Sequence, residues 1–399
     1  MTTRRPLLRA RRAHEHARVT YVELFFDLVF VFAVTQLSHA VLAHPTGLGL
    51  LHAGLLLLAV WWAWVYTAWV TNWMDPERTP VRIMLFVMMA AGLVLSAAIP
   101  DAFGKRGLVF AAAYVFIQVG RTLFFLVSTW REPAHRLNFI RITSWLMLSA
   151  VFWIVGGFQQ GEARLLVWAV AMTIEYASPA AGFWTPGLGK SNAGDWEVEG
   201  GHIAERCACF IIIALGESIV VTGATVVGLP WTFEVIAAFA SAMVCCVAMW
   251  WIYFSSTAEA ASQAIAESDN PGAIARAAYT YSHLLPVAGV IVAAVGDEWV
   301  IHHPIGHADP KVAAAVIGGP ALFLFGALVF KVAVFRRWSH TRITGLLLLA
   351  ALIPIAGHVS PLVLSVLTTL ALVVVGAWET ILTEHKKDSG LGEGNEHGA

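Results

Sequence analysis

Long, nearly uncharged apolar runs recur along the whole chain, and each is long enough to cross a lipid bilayer as a helix. About 20 apolar residues span the hydrocarbon core of a membrane. Twelve such runs lie near residues 22–43, 48–71, 82–100, 107–129, 139–158, 164–183, 204–227, 232–256, 274–296, 312–334, 342–357 and 360–382. The pattern predicts an all-α fold, a polytopic integral membrane helix bundle of about twelve transmembrane helices.

The composition supports this fold class and limits the partners. Hydrophobic residues make up 58% of the chain and charged residues 13%, whereas about 25% of an ordinary soluble domain is charged. The formal net charge of -1 gives no reason to expect nucleic acid as a partner. The four cysteines lie in or beside apolar runs and lack the spacing of a thiolate metal site, so we predict no disulfide framework, no metal and no cofactor.

Lysine and arginine are distributed unevenly between alternate loops. Of the 25, twenty lie in the two tails and the even-numbered loops, four lie in odd-numbered loops, and Arg121 lies within a run. Positive residues favour the cytoplasmic side of a membrane, so we predict that both termini are cytoplasmic. An eleven-span alternative, without a break at 357–361, would place Lys386 and Lys387 outside, and the count therefore favours twelve spans.

The two halves of the chain resemble each other weakly. Glu23 and the apolar residues after it align with Glu205 and its successors, and a polar pair follows twelve residues after each glutamate. Chance similarity between apolar helices is the alternative to a parallel repeat of two six-helix halves. The predicted organisation is an Arg-rich cytoplasmic tail (1–20), a first six-helix half (21–183), a cytoplasmic Gly-rich linker (184–203), a second six-helix half (204–383) and a cytoplasmic C-terminal tail (384–399).

Three stretches carry motifs. The first span reads E-L-F-F-D-L-V-F-V at 23–31, the seventh combines Glu205-Arg206 with L-G-E-S at 215–218, and the stretch 283–298 begins H-L-L-P and ends A-V-G-D-E. In these motifs the chain resembles the bacterial low temperature requirement A family over roughly residues 18–385. The C-A-C stretch at 207–209 departs from the family pattern. The resemblance implies a bacterial inner-membrane protein associated by name with growth in the cold, and it implies no substrate.

Ionisable residues inside the predicted spans are functional candidates, because a charge at the bilayer centre costs at least about 2.5–3.5 kcal/mol on insertion scales. Helical spacing places Glu23 and Asp27 on one face of the first span, and Glu205 holds the repeat-related position in the seventh. These groups either bind helices together or take part in function. Asp27 and Arg121 both lie in the inner third of the membrane by depth, so we predict a buried ion pair between them.

Glu217, Glu175 and His283 lie near the predicted midplane. A low-dielectric setting disfavours the charged forms of carboxyl and imidazole groups, which brings both types into the range of proton exchange near neutral pH. Pro286 and Pro179 follow His283 and Glu175 by about one helical turn, and broken helices at this depth are typical of transporter sites. The alternative is that Glu217 stays protonated and bonds a neighbouring helix, and that His283 is a satisfied core histidine.

The leading functional hypothesis is a proton-coupled secondary transporter of an unknown small solute. Its proton and substrate pathway would include Glu217, Glu175, His283 and Asp27, and its partners would be the lipid bilayer and a solute or proton. The alternative is a non-transporting membrane sensor or scaffold linked to cold adaptation, with a tail that binds anionic lipid. The sequence shows no motif with catalytic spacing, so we predict no enzymatic activity.

Overall fold

The described residues fold mainly into long helices. The structure is a computed structural model that describes residues 7–9, 18–191, 198–255 and 271–388. In these ranges, the helices of 13 or more residues are α1 (Tyr21–Ala43), α2 (Gly47–Trp73), α3 (Thr79–Ala98), α4 (Gly107–Ser128), α5 (Pro133–Phe158), α6 (Gly161–Ala180), α7 (Gly200–Val227), α8 (Phe233–Phe254), α9 (Leu284–His302), α10 (Pro310–Phe335), α11 (His340–Leu352) and α12 (Pro361–Asp388). The predicted polytopic helical bundle is confirmed.

Short segments of other helical types extend several of these helices. Two 3-10 segments follow α3 and α11, at Ile99–Asp101 and Ile353–His358. A five-residue helix, Pro271–Ala275, and a π-helical segment, Arg276–Ser282, precede α9. The π-helical segment ends directly before His283, which is where the sequence predicts an interrupted helix.

Eleven helical segments of the described chain are long and apolar enough to cross a membrane, so the chain is a multi-pass membrane protein. Helix α6 forms where the sixth span was predicted but is not among the eleven. Arg164, Glu175 and Pro179 lower the mean hydropathy of α6. The predicted break at 357–361 does separate two segments, His340–His358 and Pro361–His385.

Some predicted regions lie wholly or partly outside the described residues. These are residues 1–6 and 10–17 of the predicted N-terminal tail, residues 192–197 of the predicted linker, and residues 389–399 of the predicted C-terminal tail.

The chain divides into two compact units. The N-terminal unit comprises Met1–Ile213 and Ala266–Arg276, and the C-terminal unit comprises Ala214–Ile265 and Ala277–Ala399. The division therefore lies inside α7, whereas the sequence places it in the linker 184–203. The beginning of α7 belongs to the N-terminal unit, and there Arg206 bonds to Glu23 and Asp27 of α1.

In the N-terminal unit, α2 lies at the centre of the packing. It contacts α1, α4 and α6, while α3 packs on α1 and α4, and α5 packs on α4 and α6. Trp61, Trp62 and Trp64 of α2 are all buried. This arrangement surrounds the polar side chains of α1, α4 and α6 with aromatic and aliphatic groups.

In the C-terminal unit, α9 and α10 approach each other backbone to backbone. A Cβ atom built on Gly289 would lie 2.8 Å from the carbonyl oxygen of Gly319, and one built on Gly326 would lie 2.7 Å from the nitrogen of Pro286. Small residues are the usual means by which membrane helices pack this closely. These glycines therefore set the spacing of α9 and α10.

Candidate functional site

Five ionisable side chains converge at the beginning of α1 and α7. They are Glu23 and Asp27 of α1, His202 and Arg206 of α7, and Arg9 of the segment 7–9, and together they form the charged centre. The first four are completely buried, and the Arg9 side chain is 13% exposed. All five belong to the N-terminal unit.

Arg206 joins the two carboxylates of the centre. Its Nη1 donates to Glu23 Oε1 at 3.0 Å, and its Nη2 donates to Asp27 Oδ1 at 2.6 Å. The indole of Trp64 donates to the same Asp27 oxygen at 2.7 Å, and the Arg206 guanidinium lies 5.7 Å from the centroid of that ring. Among the described residues, Asp27 Oδ2 has no hydrogen-bond partner.

The neighbours of His202 determine its protonation. Asn72 is oriented by Glu199, because Asn72 Oδ1 accepts from the Glu199 N–H and Asn72 Nδ2 donates to the Glu199 carbonyl. That amide nitrogen also lies 3.3 Å from His202 Nδ1, which must therefore accept a hydrogen bond. His202 Nε2, 2.9 Å from Glu23 Oε1, then carries the proton and donates it. The geometry is that of a neutral imidazole.

Local structure holds Glu23 and Arg9 in place. Glu23 lies in the first turn of α1, where a carboxylate is favoured by the helix dipole, and it accepts from the backbone N–H and the hydroxyl of Thr20, both at 2.9 Å. Arg9 Nη2 donates to the same Glu23 oxygen at 3.1 Å. Arg9 Nε donates to the carbonyls of Thr71 and Met74 at the C-terminal end of α2, where a cation is favoured.

The predicted ion pair between Asp27 and Arg121 is wrong for the described structure. Asp27 pairs with Arg206, as described above. Arg121 instead donates to Gln118 Oε1 at 2.6 Å, to Thr67 Oγ1 at 3.0 Å and to the Ala63 carbonyl at 3.1 Å. The depth of both residues was compatible with a pair, but α7 supplies an arginine that reaches Asp27 directly.

Glu175 is a saturated buried carboxylate. Its Oε1 accepts from Ser149 at 2.6 Å and from the Trp153 indole at 2.9 Å. Its Oε2 accepts from Tyr114 at 2.6 Å and from Gln118 at 3.0 Å. Uncharged donors of α4 and α5 thus surround a carboxylate of α6. This network binds the three helices together and leaves no carboxylate oxygen open.

Glu23 and Glu205, predicted to be equivalent in an internal repeat, have different surroundings. Glu23 is buried among three nitrogen-bearing side chains. Glu205 is exposed, and its Oε2 accepts from the backbone N–H of Val19 at 3.0 Å. On α7, the buried charged position belongs to the next residue, Arg206.

The C-terminal unit holds Glu217 and His283. Glu217 is 6% exposed, and its buried Oε1 has no hydrogen-bond partner among the described residues. His283 Nδ1 lies 3.0 Å from the Ala278 carbonyl in the π-helical segment, and its Nε2 lies 2.6 Å from the Tyr253 hydroxyl. His283 is thus bonded at both nitrogens, as expected of a core histidine that donates to a carbonyl and accepts from a tyrosine.

Within each unit, the described hydrogen bonds link none of the predicted pathway residues to one another. In the N-terminal unit, Asp27 and Glu175 belong to different hydrogen-bond networks. In the C-terminal unit, Glu217 and His283 share no hydrogen bond in the described part of the chain. The pathway stays a prediction.

Sequence reasoning missed the cationic half of the charged centre. It counted Arg9 with the predicted cytoplasmic tail 1–20 and Arg206, near the beginning of the run 204–227, with the cytoplasmic loops. The available signal was the spacing of His202 and Arg206, which are four residues apart and so share one face of α7.

Sequence reasoning also missed a second buried hydrogen-bond network, in the C-terminal unit. There Glu379 of α12 accepts from Arg342, Thr341, Ser339 and Lys331. Glu379 Oε1 lies 3.1 Å from Arg342 Nε.

In the residues that the structure describes, no group of three or more His, Cys, Asp or Glu side chains is placed to hold a metal ion.

Comparisons with known proteins agree with the motifs. The family profile for bacterial low temperature requirement A protein (LtrA) matches residues 18–377, which confirms the resemblance. The chain is 37% identical over 383 residues to the uncharacterized protein RA0937 of Rhizobium meliloti (strain 1021), a match that covers 94% of this chain and 92% of that protein. No solved structure matches. The chain belongs to the bacterial low temperature requirement A protein family.

Proposed function

We propose that the protein is a proton-coupled secondary transporter of a small solute in the bacterial inner membrane, with both termini in the cytoplasm. Membership of a bacterial family and eleven candidate membrane spans support the location. The uneven distribution of lysine and arginine supports the orientation. Two cytoplasmic termini need an even number of crossings, so the proposal includes α6 as a span in addition to the eleven candidates. The partners in this proposal are the lipid bilayer, protons and the solute, without nucleic acid and without an enzymatic reaction.

The main support for the proposal is a carboxylate oxygen of Glu217 that accepts no described hydrogen bond. Its Oε1 is buried on a membrane-length helix and has no described hydrogen-bond partner. An ionised carboxylate in that position lacks the bonds that offset the cost of desolvation. A carboxylic acid avoids this cost, so Glu217 is suited to hold a proton and to release it when water or a solute reaches it.

Two other buried glutamates differ from Glu217 in their hydrogen bonds. Both oxygens of Glu175 and of Glu379 accept hydrogen bonds. Such saturation stabilises the ionised form and ties helices together. Asp27 resembles Glu217 in one respect, because its Oδ2 is also open, and it is the second candidate for proton exchange.

The saturated networks favour a second candidate function, a non-transporting membrane sensor or scaffold linked to growth in the cold. Glu175 joins α4, α5 and α6, and Glu379 joins the beginning of α11 to α12. A protein that only organises membrane helices needs such networks and needs no exchanging proton.

The parallel repeat of two six-helix halves also stays a prediction under either function.

The proposal predicts that purified protein in liposomes gives a transient current after a pH jump across a supported membrane. We expect Glu217→Gln to reduce this current to the level of empty liposomes, because glutamine cannot bind and release a proton. The matched control is Glu205→Gln on the same helix. Glu205 is exposed, and glutamine keeps an oxygen that accepts from Val19.

One result would count against the transporter and another against the role of Glu217. One is a folded wild-type protein that gives no more current than empty liposomes, which would favour the sensor or scaffold. The other is an unchanged current in the Glu217→Gln variant, which would assign proton exchange to a different group.

A further inference from the structure

Arg9 occupies a pocket that the helices build without it. The pocket consists of Glu23 Oε2 and the carbonyls of Thr71 and Met74, which receive hydrogen bonds of 3.1, 2.8 and 3.2 Å from the Arg9 guanidinium. His202 Nε2 lies 3.1 Å from Arg9 Nη2 and forms one wall, although it carries the imidazole proton and so accepts no hydrogen bond from Arg9. We call this the Arg9 pocket.

The walls of the Arg9 pocket are held by bonds that do not involve Arg9. Glu23 is held by Thr20, His202 and Arg206, and His202 is held by Asn72. Thr71 and Met74 lie at the end of α2, where the last carbonyls of a helix have no partner within it and attract cations. The pocket is therefore preorganised.

The occupant belongs to a short segment outside the helices. The segment 7–9 forms one isolated β-bridge, between Leu8 and Met74. The backbone bonds of this bridge are Arg9 N to the Trp73 carbonyl at 2.8 Å and Asp75 N to the Leu7 carbonyl at 2.9 Å. Among the described residues, two backbone bonds and the Arg9 side chain hold this segment, which belongs to none of the helices.

When Glu23 and Asp27 are both ionised, the described charges of the centre favour a cation in the pocket. The centre contains two carboxylates, Glu23 and Asp27, and two guanidinium groups, Arg206 and Arg9, while His202 is neutral by its hydrogen-bond geometry. With Arg9 in place the formal charges cancel. Without Arg9 a net negative charge stays buried, and a buried unpaired charge is strongly unfavourable.

We propose that the Arg9 pocket is a binding site for a guanidinium cation and that Arg9 is its tethered occupant. With the Arg9 side chain absent, the pocket is expected to bind a guanidinium group from another molecule. The planar fork of a guanidinium matches one carboxylate oxygen and two carbonyls, whereas a sodium ion cannot donate hydrogen bonds. This proposal does not depend on proton coupling.

The test is chemical rescue of an Arg9→Gly variant. We expect its melting temperature to fall below that of the wild type, and millimolar guanidinium chloride, far below denaturing concentrations, to restore most of the loss with a saturating dose response. Sodium chloride at the same ionic strength is expected to restore little. The wild type, whose pocket is filled, is expected to show no rise.

Two matched variants separate pocket filling from general effects. Arg18→Gly removes an exposed arginine near the start of α1 and is expected to keep wild-type stability and show no response. Arg9→Gln loses the charge but keeps a long side chain in the pocket, so guanidinium is expected to restore it far less than it restores Arg9→Gly. An equal response of Arg9→Gly to both salts, or no loss of stability in that variant, would overturn the proposal.

If Arg9→Gly does not survive purification in sodium chloride, it is purified in guanidinium chloride. The proposal then predicts a folded protein that is lost when the guanidinium is exchanged for sodium. Loss of the protein in both salts would refute guanidinium binding at this site.

Discussion

Replacing Arg206 with alanine is expected to lower the free energy of unfolding by about 3–5 kcal/mol, the usual cost of removing one partner of a buried ion pair. The change leaves Glu23 and Asp27 buried with Arg9 as their only described arginine partner. The same change at Arg337, an exposed arginine, is expected to have little effect. The measurement is unfolding of the purified protein by a denaturing detergent, followed by circular dichroism.

A second variant tests whether the unpaired carboxylate charge causes the loss of stability in Arg206→Ala. Asp27→Asn removes one of the two carboxylate charges, so it is expected to suppress the Arg206→Ala loss, with a coupling of about 0.5–3 kcal/mol. Because Arg121 does not bond to Asp27, the effects of Arg121→Ala and Asp27→Asn are expected to be additive. Wild-type stability of Arg206→Ala, or coupling of Asp27 to Arg121 instead, would contradict the observed pairing.

Gly319→Ala is expected to destabilise the C-terminal unit although it adds only one methyl group. A Cβ at this position would lie 2.7 Å from the Cα of Ala293 and closer still to its backbone nitrogen. Neither atom can move without separating α9 from α10. Overpacking of this kind costs about 1–3 kcal/mol.

The neighbouring glycine provides a matched control for Gly319. A Cβ at Gly318 would meet no atom within 4 Å, and alanine favours a helix over glycine by about 1 kcal/mol. Gly318→Ala is therefore expected to be neutral or stabilising, the opposite sign from Gly319→Ala. Detergent unfolding of both variants gives the comparison, and equal effects would show that α9 and α10 are not packed as described.

The helices were predictable because their signal is local. A run of about 20 apolar residues predicts a membrane helix whatever its neighbours are, and the predicted runs match the observed helices closely. Helix α6 is the instructive exception. Its Arg164 and Glu175 reduce its apolar character, yet both are buried, because α4, α5 and nearby carbonyls provide their partners.

The partners of the buried charges were not predictable in the same way. Depth and helical angle show how far into the membrane Asp27 lies, but they do not show which helix faces it. Arg206 lies near the end of an apolar run and so counts as a loop cation by the charge rule. The four donors to Glu175 are uncharged and come from two other helices, so no spacing in the sequence marks them. Glu217 Oε1 has no described partner because no described neighbouring side chain donates a hydrogen bond to it, and the sequence does not show which side chains lie beside it.

The proposed transport depends on proton exchange by Glu217 within the membrane. The most direct test is the infrared difference spectrum of the reconstituted protein between two pH values. A protonated carboxyl group has its own carbonyl stretching band, separate from the bands of a carboxylate. Such a band is expected to titrate in the wild type and in Glu205→Gln and to be missing in Glu217→Gln. A titrating band that persists in Glu217→Gln, or no titrating band in the wild type, would contradict it.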